Sequence, residues 1–179
     1  MNTDLIFLIG LPGSGKTTIG KELSKKIGVP FVDTDEIICA QQGKTIEAIF
    51  NENGEDYFRK QEKATLENII SRKESSIIST GGGLPCFFDN MDQINRDGIS
   101  IFLNVSPETI VERLWNQRDA NRPMIKGKTK EGLLEFLKGK LQERIPFYSK
   151  ARIIVSGENI TSKEIEKKMY ESGFSGLKD

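Results

Sequence analysis

Histidine is absent from the 179 residues. Nucleophilic mechanisms built on Ser-His-Asp or Cys-His arrangements are therefore excluded, and acid–base work falls to carboxylate, lysine or solvent. Cysteine occurs twice, at Cys39 and Cys86. Two distant thiols without histidine companions support neither a disulfide framework nor a zinc site, and a cytoplasmic setting is expected. Charge of one sign is not in excess, with 26 Lys+Arg against 26 Asp+Glu. That disfavours nucleic acid or an anionic membrane as the main partner, because such surfaces are bound through a basic excess. Apolar runs are short, none near the ~18 residues of a bilayer span. The opening MNTDLIFLIG also carries an acidic residue where a secretory signal has positive charge. Against these absences, 36% hydrophobic and 29% charged residues are the balance of an ordinary globular chain. The length fits a single domain over residues 1–179.

Short apolar runs alternate with segments of helical period. DLIFLI (4–9), VPFVD (29–33), SSIIST (75–80), GISIFLNV (98–105) and RIIV (152–155) predict strands. Helices are predicted over 16–27, over 54–72 with Phe58, Leu66, Ile69 and Ile70 inward, and over 130–144. Ser106-Pro107 supplies a capping serine and a first-turn proline for another helix, and TSKE (161–164) is a capping box for the last. Continuous apolar strands alternating with helices predict an α/β fold, a parallel sheet covered on both faces. The polar, basic stretch NQRDANRPMIKGKTK (116–130) has no core pattern and is expected to form a lid.

The most specific signal is Gly10-Leu11-Pro12-Gly13-Ser14-Gly15-Lys16-Thr17, a full G-x-x-x-x-G-K-[ST] match between a predicted strand and a predicted helix. In that context backbone N–H groups and a positive helix end converge on one concavity, which suits the phosphates of a nucleoside triphosphate. Gly13, Ser14, Gly15, Lys16, Thr17 and Thr18 are the expected nucleotide contacts. Lys16 would reach the outer phosphates and the Thr17 hydroxyl would ligate Mg²⁺. The D-x-x-G and N-K-x-D patterns of guanine-nucleotide switches are both missing.

In an open α/β sheet the ligand crevice lies at the carboxyl ends of the strands. Two further segments are aimed there, Asp33-Thr34-Asp35 and Thr80-Gly81-Gly82-Gly83. One carboxylate could support Mg²⁺ and the other orient an acceptor hydroxyl. Equally, Asp33 or Thr34 could simply cap the next helix with Asp35 in its first turn. Gly81–Gly83 place no side chain between backbone and ligand. Arginine is scarce, eight against eighteen lysines, so its placement is informative. Arg59, with Glu62 three residues on to hold it, and Arg144, just before a proline expected to end its helix, could clamp one carboxylate in the planar geometry lysine cannot match. Singly, each could be a solvated charge. Arg122, in the expected lid, could stabilise charge on a transferring group.

Taken together and in order, GLPGSGKT, DTD, GEDYFRKQE, TGGG, NRPM and ERIPFY resemble shikimate kinase from about residue 5 to residue 155. The resemblance implies a three-layer P-loop kinase fold with a five-stranded parallel sheet, a mobile lid (116–130) and a moving substrate-binding subregion (34–60). It implies ATP-dependent, Mg²⁺-supported phosphorylation of the 3-hydroxyl of shikimate in aromatic amino-acid biosynthesis. By the same resemblance Asp35 acts at the acceptor, and Asp33 supports Mg²⁺ with Thr17. Arg59 and Arg144 hold the substrate carboxylate, Gly81, Gly82 and Gly83 line its ring, and Arg122 meets ATP. The expected partners are shikimate and ATP alone, bound by a monomer. The lid reads RPM where the family commonly has RPL, and residues 156–160 carry no arginine for the adenine. A kinase for another small acceptor, such as gluconate or a nucleoside monophosphate, and a nucleotide-dependent binding module without catalysis are the alternative readings.

Overall fold

The structure, a computed structural model, describes residues 4–116 and 129–174. Its centre is a five-stranded sheet in the order β2-β3-β1-β4-β5, parallel at every pairing. The strands are β1 (Leu5–Ile9), β2 (Phe31–Asp33), β3 (Ser76–Ser79), β4 (Ile99–Asn104) and β5 (Ile153–Ser156). Four fall within the apolar runs legible in the sequence, and β5 extends one residue beyond its run, to Ser156.

Alternation along the central strands explains the layers. Side chains of β1 point to opposite faces in turn, so Ile6 and Leu8 join one cluster with Leu23, Ile110 and Leu137. Leu5 and Phe7 join another with Leu66, Ile69 and Ile94. Helices α1 (Lys16–Ile27), α5 (Pro107–Asn116), α6 (Lys130–Tyr148) and α7 (Ser162–Glu171) contribute to the first cluster. The second is covered by the long α3 (Ile46–Arg72) and by α4 (Asn90–Asp97), a short polar-looking helix that the sequence pattern did not reveal. A third, small cluster of Ile38, Ile49 and Phe58 ties α2 (Thr34–Gln42) to the start of α3.

One helix expectation holds and one is corrected. The helix predicted over 54–72 forms from just after Gly54 to Arg72. A preceding helical segment from Ile46, which the sequence pattern did not reveal, runs into it across a break at Gly54, whose φ of 80° and ψ of 173° are not helical. Glycine reaches that conformation without the Cβ penalty, so the break falls there. Pro146 does not end α6, which continues to Tyr148. A proline so near a helix end removes only one hydrogen bond. The last turn is held instead by Tyr148, which is fully buried and lies 5.0 Å from the Phe102 ring.

Leu8 is fully buried, with Gly20 of α1 packed close over its side chain. Leu8→Ala is expected to destabilise the protein by about 2–5 kcal/mol, measured as a lower urea midpoint with an unchanged slope.

Candidate active site

The glycine loop takes its shape from positive φ angles that other residues rarely adopt: Gly10 at 144°, Gly13 at 83° and Gly15 at 99°. It is also pressed against its neighbours. A Cβ on Gly10 would lie 2.9 Å from the Leu103 carbonyl oxygen, and one on Gly13 would lie 2.8 Å from Ile110 Cγ2. The loop thus curls over the ends of β1 and β4, and α1 opens directly from it at Lys16. Lys16 Nζ donates to the carbonyls of Gly10 (3.0 Å) and Leu11 (2.9 Å). Burial lowers its pKa to about 8, against the pull of Asp35 and Asp33. Ser14 Oγ is buried and makes no hydrogen bond, while Thr18 is exposed on the first turn of α1.

Asp33 does both of the things its position allows. Its Oδ1 accepts from the Asp35 N–H at 3.1 Å, capping α2, and its Oδ2 accepts from Thr17 Oγ1 at 3.0 Å. One hydroxyl and one carboxylate are thereby paired beside the phosphate loop. This donor set suits Mg²⁺, which is usually held by one or two protein groups with phosphates and waters completing its shell. Among the described residues no larger cluster of metal-ligating side chains exists.

The triple glycine is the floor on which the other functional side chains meet. A Cβ on Gly81 would fall 2.6 Å from Asp35 Oδ1 and 2.7 Å from Glu62 Oε1. On Gly82 it would fall 2.8 Å from Arg144 Nη1 and 2.8 Å from Pro12 Cδ of the glycine loop. On Gly83 it would overlap the Arg59 guanidinium, with Cζ at 2.9 Å. Each glycine therefore makes room for a different charged group, and Gly82 also joins this turn to the phosphate loop. Thr34 Oγ1 accepts from the Gly81 N–H at 2.8 Å, and the Tyr148 hydroxyl donates to the Gly82 carbonyl.

Electrostatically the pocket crowds ionisable groups in a dry place. Burial raises the Asp35 pKa, assisted by Asp33 and opposed by Lys16 and Arg59. Burial also brings Glu62 up to about 7, even though Arg59 Nη1 donates to it at 2.7 Å. Beside the glycine triplet, two buried atoms have no hydrogen-bond partner among the described residues: Asp35 Oδ1, an acceptor, and Arg144 Nη1, a donor.

The structure thus brings Lys16, Thr17, Asp33, Asp35, Arg59, Gly81–Gly83 and Arg144 to one crevice. Arg122 lies outside the described residues, as does most of the expected lid (117–128). Sequence reasoning missed Tyr148, Glu55 and Phe87. Glu55 Oε1 accepts from Arg59 Nε and Nη2, and the Phe87 ring centre lies 4.1 Å from Arg59 Cζ. The i, i+4 spacing of Glu55 and Arg59 was a usable signal; nothing local pointed to Phe87. Also missed was Arg113 on α5, which donates to the Glu158 carbonyl and runs beside Gly15.

Comparison with known proteins agrees with this geometry. A family model described as shikimate kinase matches residues 12–172. The shikimate kinase of Bacteroides thetaiotaomicron is 40% identical over 158 residues, covering 88% of this chain and 89% of its own. The crystal structure of the enzyme from that organism superposes with a TM-score of 0.85 at 39% identity, covering 94% of this chain and 95% of the other. Shikimate kinase from Acinetobacter baumannii, solved in complex with shikimate, gives a TM-score of 0.80 at 30% identity, covering 98% and 96%. Sequence, fold and site converge, and the chain belongs to the shikimate kinase family.

Proposed function

We infer that this member of the shikimate kinase family, an ATP-dependent phosphotransferase, moves the γ-phosphoryl group of ATP to the 3-hydroxyl of shikimate by direct in-line transfer. The observation that carries the reading is the pair of unpartnered buried atoms across the bare glycine floor, Asp35 Oδ1 and Arg144 Nη1. Leaving such groups unsatisfied costs about 1–3 kcal/mol each. A ligand with a hydroxyl at one end and a carboxylate at the other satisfies both at once, and shikimate is such a ligand.

The roles follow from position. Backbone N–H groups of Gly13–Lys16, at the start of α1, receive the phosphates, and Ser14, Thr17 and Thr18 add hydroxyls beside them. Lys16 exchanges its loop carbonyls for phosphate oxygens and stabilises the charge of the transferring group. Thr17 and Asp33 would hold Mg²⁺, which when bound neutralises charge on the terminal phosphates. Asp35 orients the acceptor hydroxyl and takes its proton, helped by a pKa raised toward the working range. Arg144 and Arg59 grip the substrate carboxylate while Gly81–Gly83 let its ring lie against the backbone. The third, separate cluster of Ile38, Ile49 and Phe58 supports a substrate-binding subregion over 34–60 within a single domain, with the break at Gly54 as its joint.

An assay of ADP release across shikimate, gluconate and nucleoside monophosphates tests the acceptor. Turnover is expected with shikimate alone, whereas ATP consumption that no acceptor stimulates would sink the reading. Asp35→Asn should lower kcat at least ~10²-fold with nucleotide affinity nearly intact. Gly83→Ala should raise the KM for shikimate about tenfold, because the added methyl displaces Arg59, and leave the KM for ATP unchanged. Lys16 is protonated below about pH 8 and neutral above it. kcat/KM for ATP is therefore expected to fall on the alkaline side of that value, and a flat profile from pH 7 to 9.5 would contradict the assigned role of Lys16.

A further inference from the structure

We propose that Glu55 is a built-in competitor for the guanidinium of Arg59, so that the shikimate carboxylate reaches Arg59 only by displacing it. This rests on the assignment of Arg59 to the carboxylate grip given above.

Arg59 already serves two carboxylates. Glu62 Oε2 takes Nη1 at 2.7 Å, and Glu55 Oε1 bridges Nε at 3.0 Å and Nη2 at 2.6 Å. The Nε–Nη2 edge is one of the forks by which a guanidinium receives a planar carboxylate bidentately, and Glu55 occupies it. The two partners are not equivalent. The Glu62 side chain is 1% exposed and cannot leave, whereas that of Glu55 is 55% exposed. An ion pair so open to water is weak, because the carboxylate loses little by returning to solvent. Glu55 also follows directly on Gly54, where α3 is broken, so it sits at the joint of the helix and not in its rigid part.

Arg59 itself has little room to move. The Phe87 ring centre lies 4.1 Å from its Cζ, and the Gly83 backbone lies close against the guanidinium. The exchangeable member is therefore Glu55. While it stays, the guanidinium has an acceptor and is not left desolvated and bare. When a substrate carboxylate arrives, first at the unpartnered Arg144 Nη1, Glu55 swings out and Arg59 closes the grip. Apparent affinity is reduced by the fraction of molecules in which Glu55 holds the fork. The phosphorylated product keeps the same carboxylate, so the return of Glu55 also favours its release.

Calorimetric titration of the full chain with shikimate, and with its neutral methyl ester, tests the proposal in wild type and Glu55→Gln. The amide keeps the size of the side chain and removes its charge. The expected result is a Kd for shikimate about two- to fivefold lower in the variant. The KM for shikimate should fall in parallel, with the KM for ATP maintained and the Kd of the ester unchanged. A Kd for shikimate that stays the same or rises would overturn the proposal, because Glu55 would then be orienting Arg59 for the substrate. Equal tightening of acid and ester would overturn it too, by pointing to a loosened pocket. Arg59→Lys separates this outcome from failure of the underlying assignment. If that variant binds shikimate like wild type, Arg59 is not part of the grip, whatever Glu55→Gln does.

Discussion

The approach of four charged side chains to a backbone without side chains is the constraint on which the site depends. Asp35 and Glu62 crowd Gly81, Arg144 crowds Gly82 and Arg59 crowds Gly83. No residue with a Cβ could stand at any of the three positions without moving one of these groups. The turn is fixed from below by β3 and from the sides by Thr34 and Tyr148, which bond the Gly81 N–H and the Gly82 carbonyl. Because Gly82 also abuts Pro12, the acceptor pocket and the phosphate loop are held as one piece. Phosphoryl transfer needs that, since misplacement by about 1 Å can cost ~10² in rate.

Crowding has an electrostatic consequence. Burial depresses the Lys16 pKa and raises those of Asp35 and Glu62, so several groups sit nearer neutrality than they would in water. Opposite charges offset part of this penalty and account for the local pairing. Arg59 is flanked by two carboxylates and an aromatic ring, and Asp33 is tied to Thr17 and to the start of α2. Asp35 Oδ1 and Arg144 Nη1 are left without hydrogen-bond partners among the described residues, and on the function proposed above the substrate supplies them. The same sparing use of partners suits an enzyme that must bind a small acid and then release its phosphorylated form.

The carboxylate pair at the end of β2 shows how structural and functional uses of a residue coincide. As a cap, Asp33 satisfies the Asp35 N–H that α2 cannot satisfy internally. Its other oxygen accepts from the Thr17 hydroxyl, the pair proposed above to hold Mg²⁺. Capping orients the carboxylate, and a fixed orientation is what a metal or hydroxyl partner requires. The cap therefore leaves the second carboxylate oxygen available for the metal role proposed above.

Local chemistry fixed the phosphate loop, the five strands and the start of α1, because glycine conformations, apolar period and helix caps act over a few residues of chain. Asp35, the glycine triplet, Arg59 and Arg144 were legible as candidates for the same reason, each lying at a strand end or in a motif. Other features depend on contacts between residues far apart in sequence. Tyr148 sits 66 positions from the carbonyl it binds, and its burial carries α6 past Pro146 against local propensity. Phe87, from the turn after β3, packs on an arginine of α3, and Glu55 holds an edge of that arginine that spacing alone could not distinguish from any surface ion pair. The chain thus determined which groups would be available and on which elements. Only the packing of α3 and α6 against the turn that follows β3 decided which of them would meet, because burial and close approach are properties of surfaces brought together and not of the segments themselves.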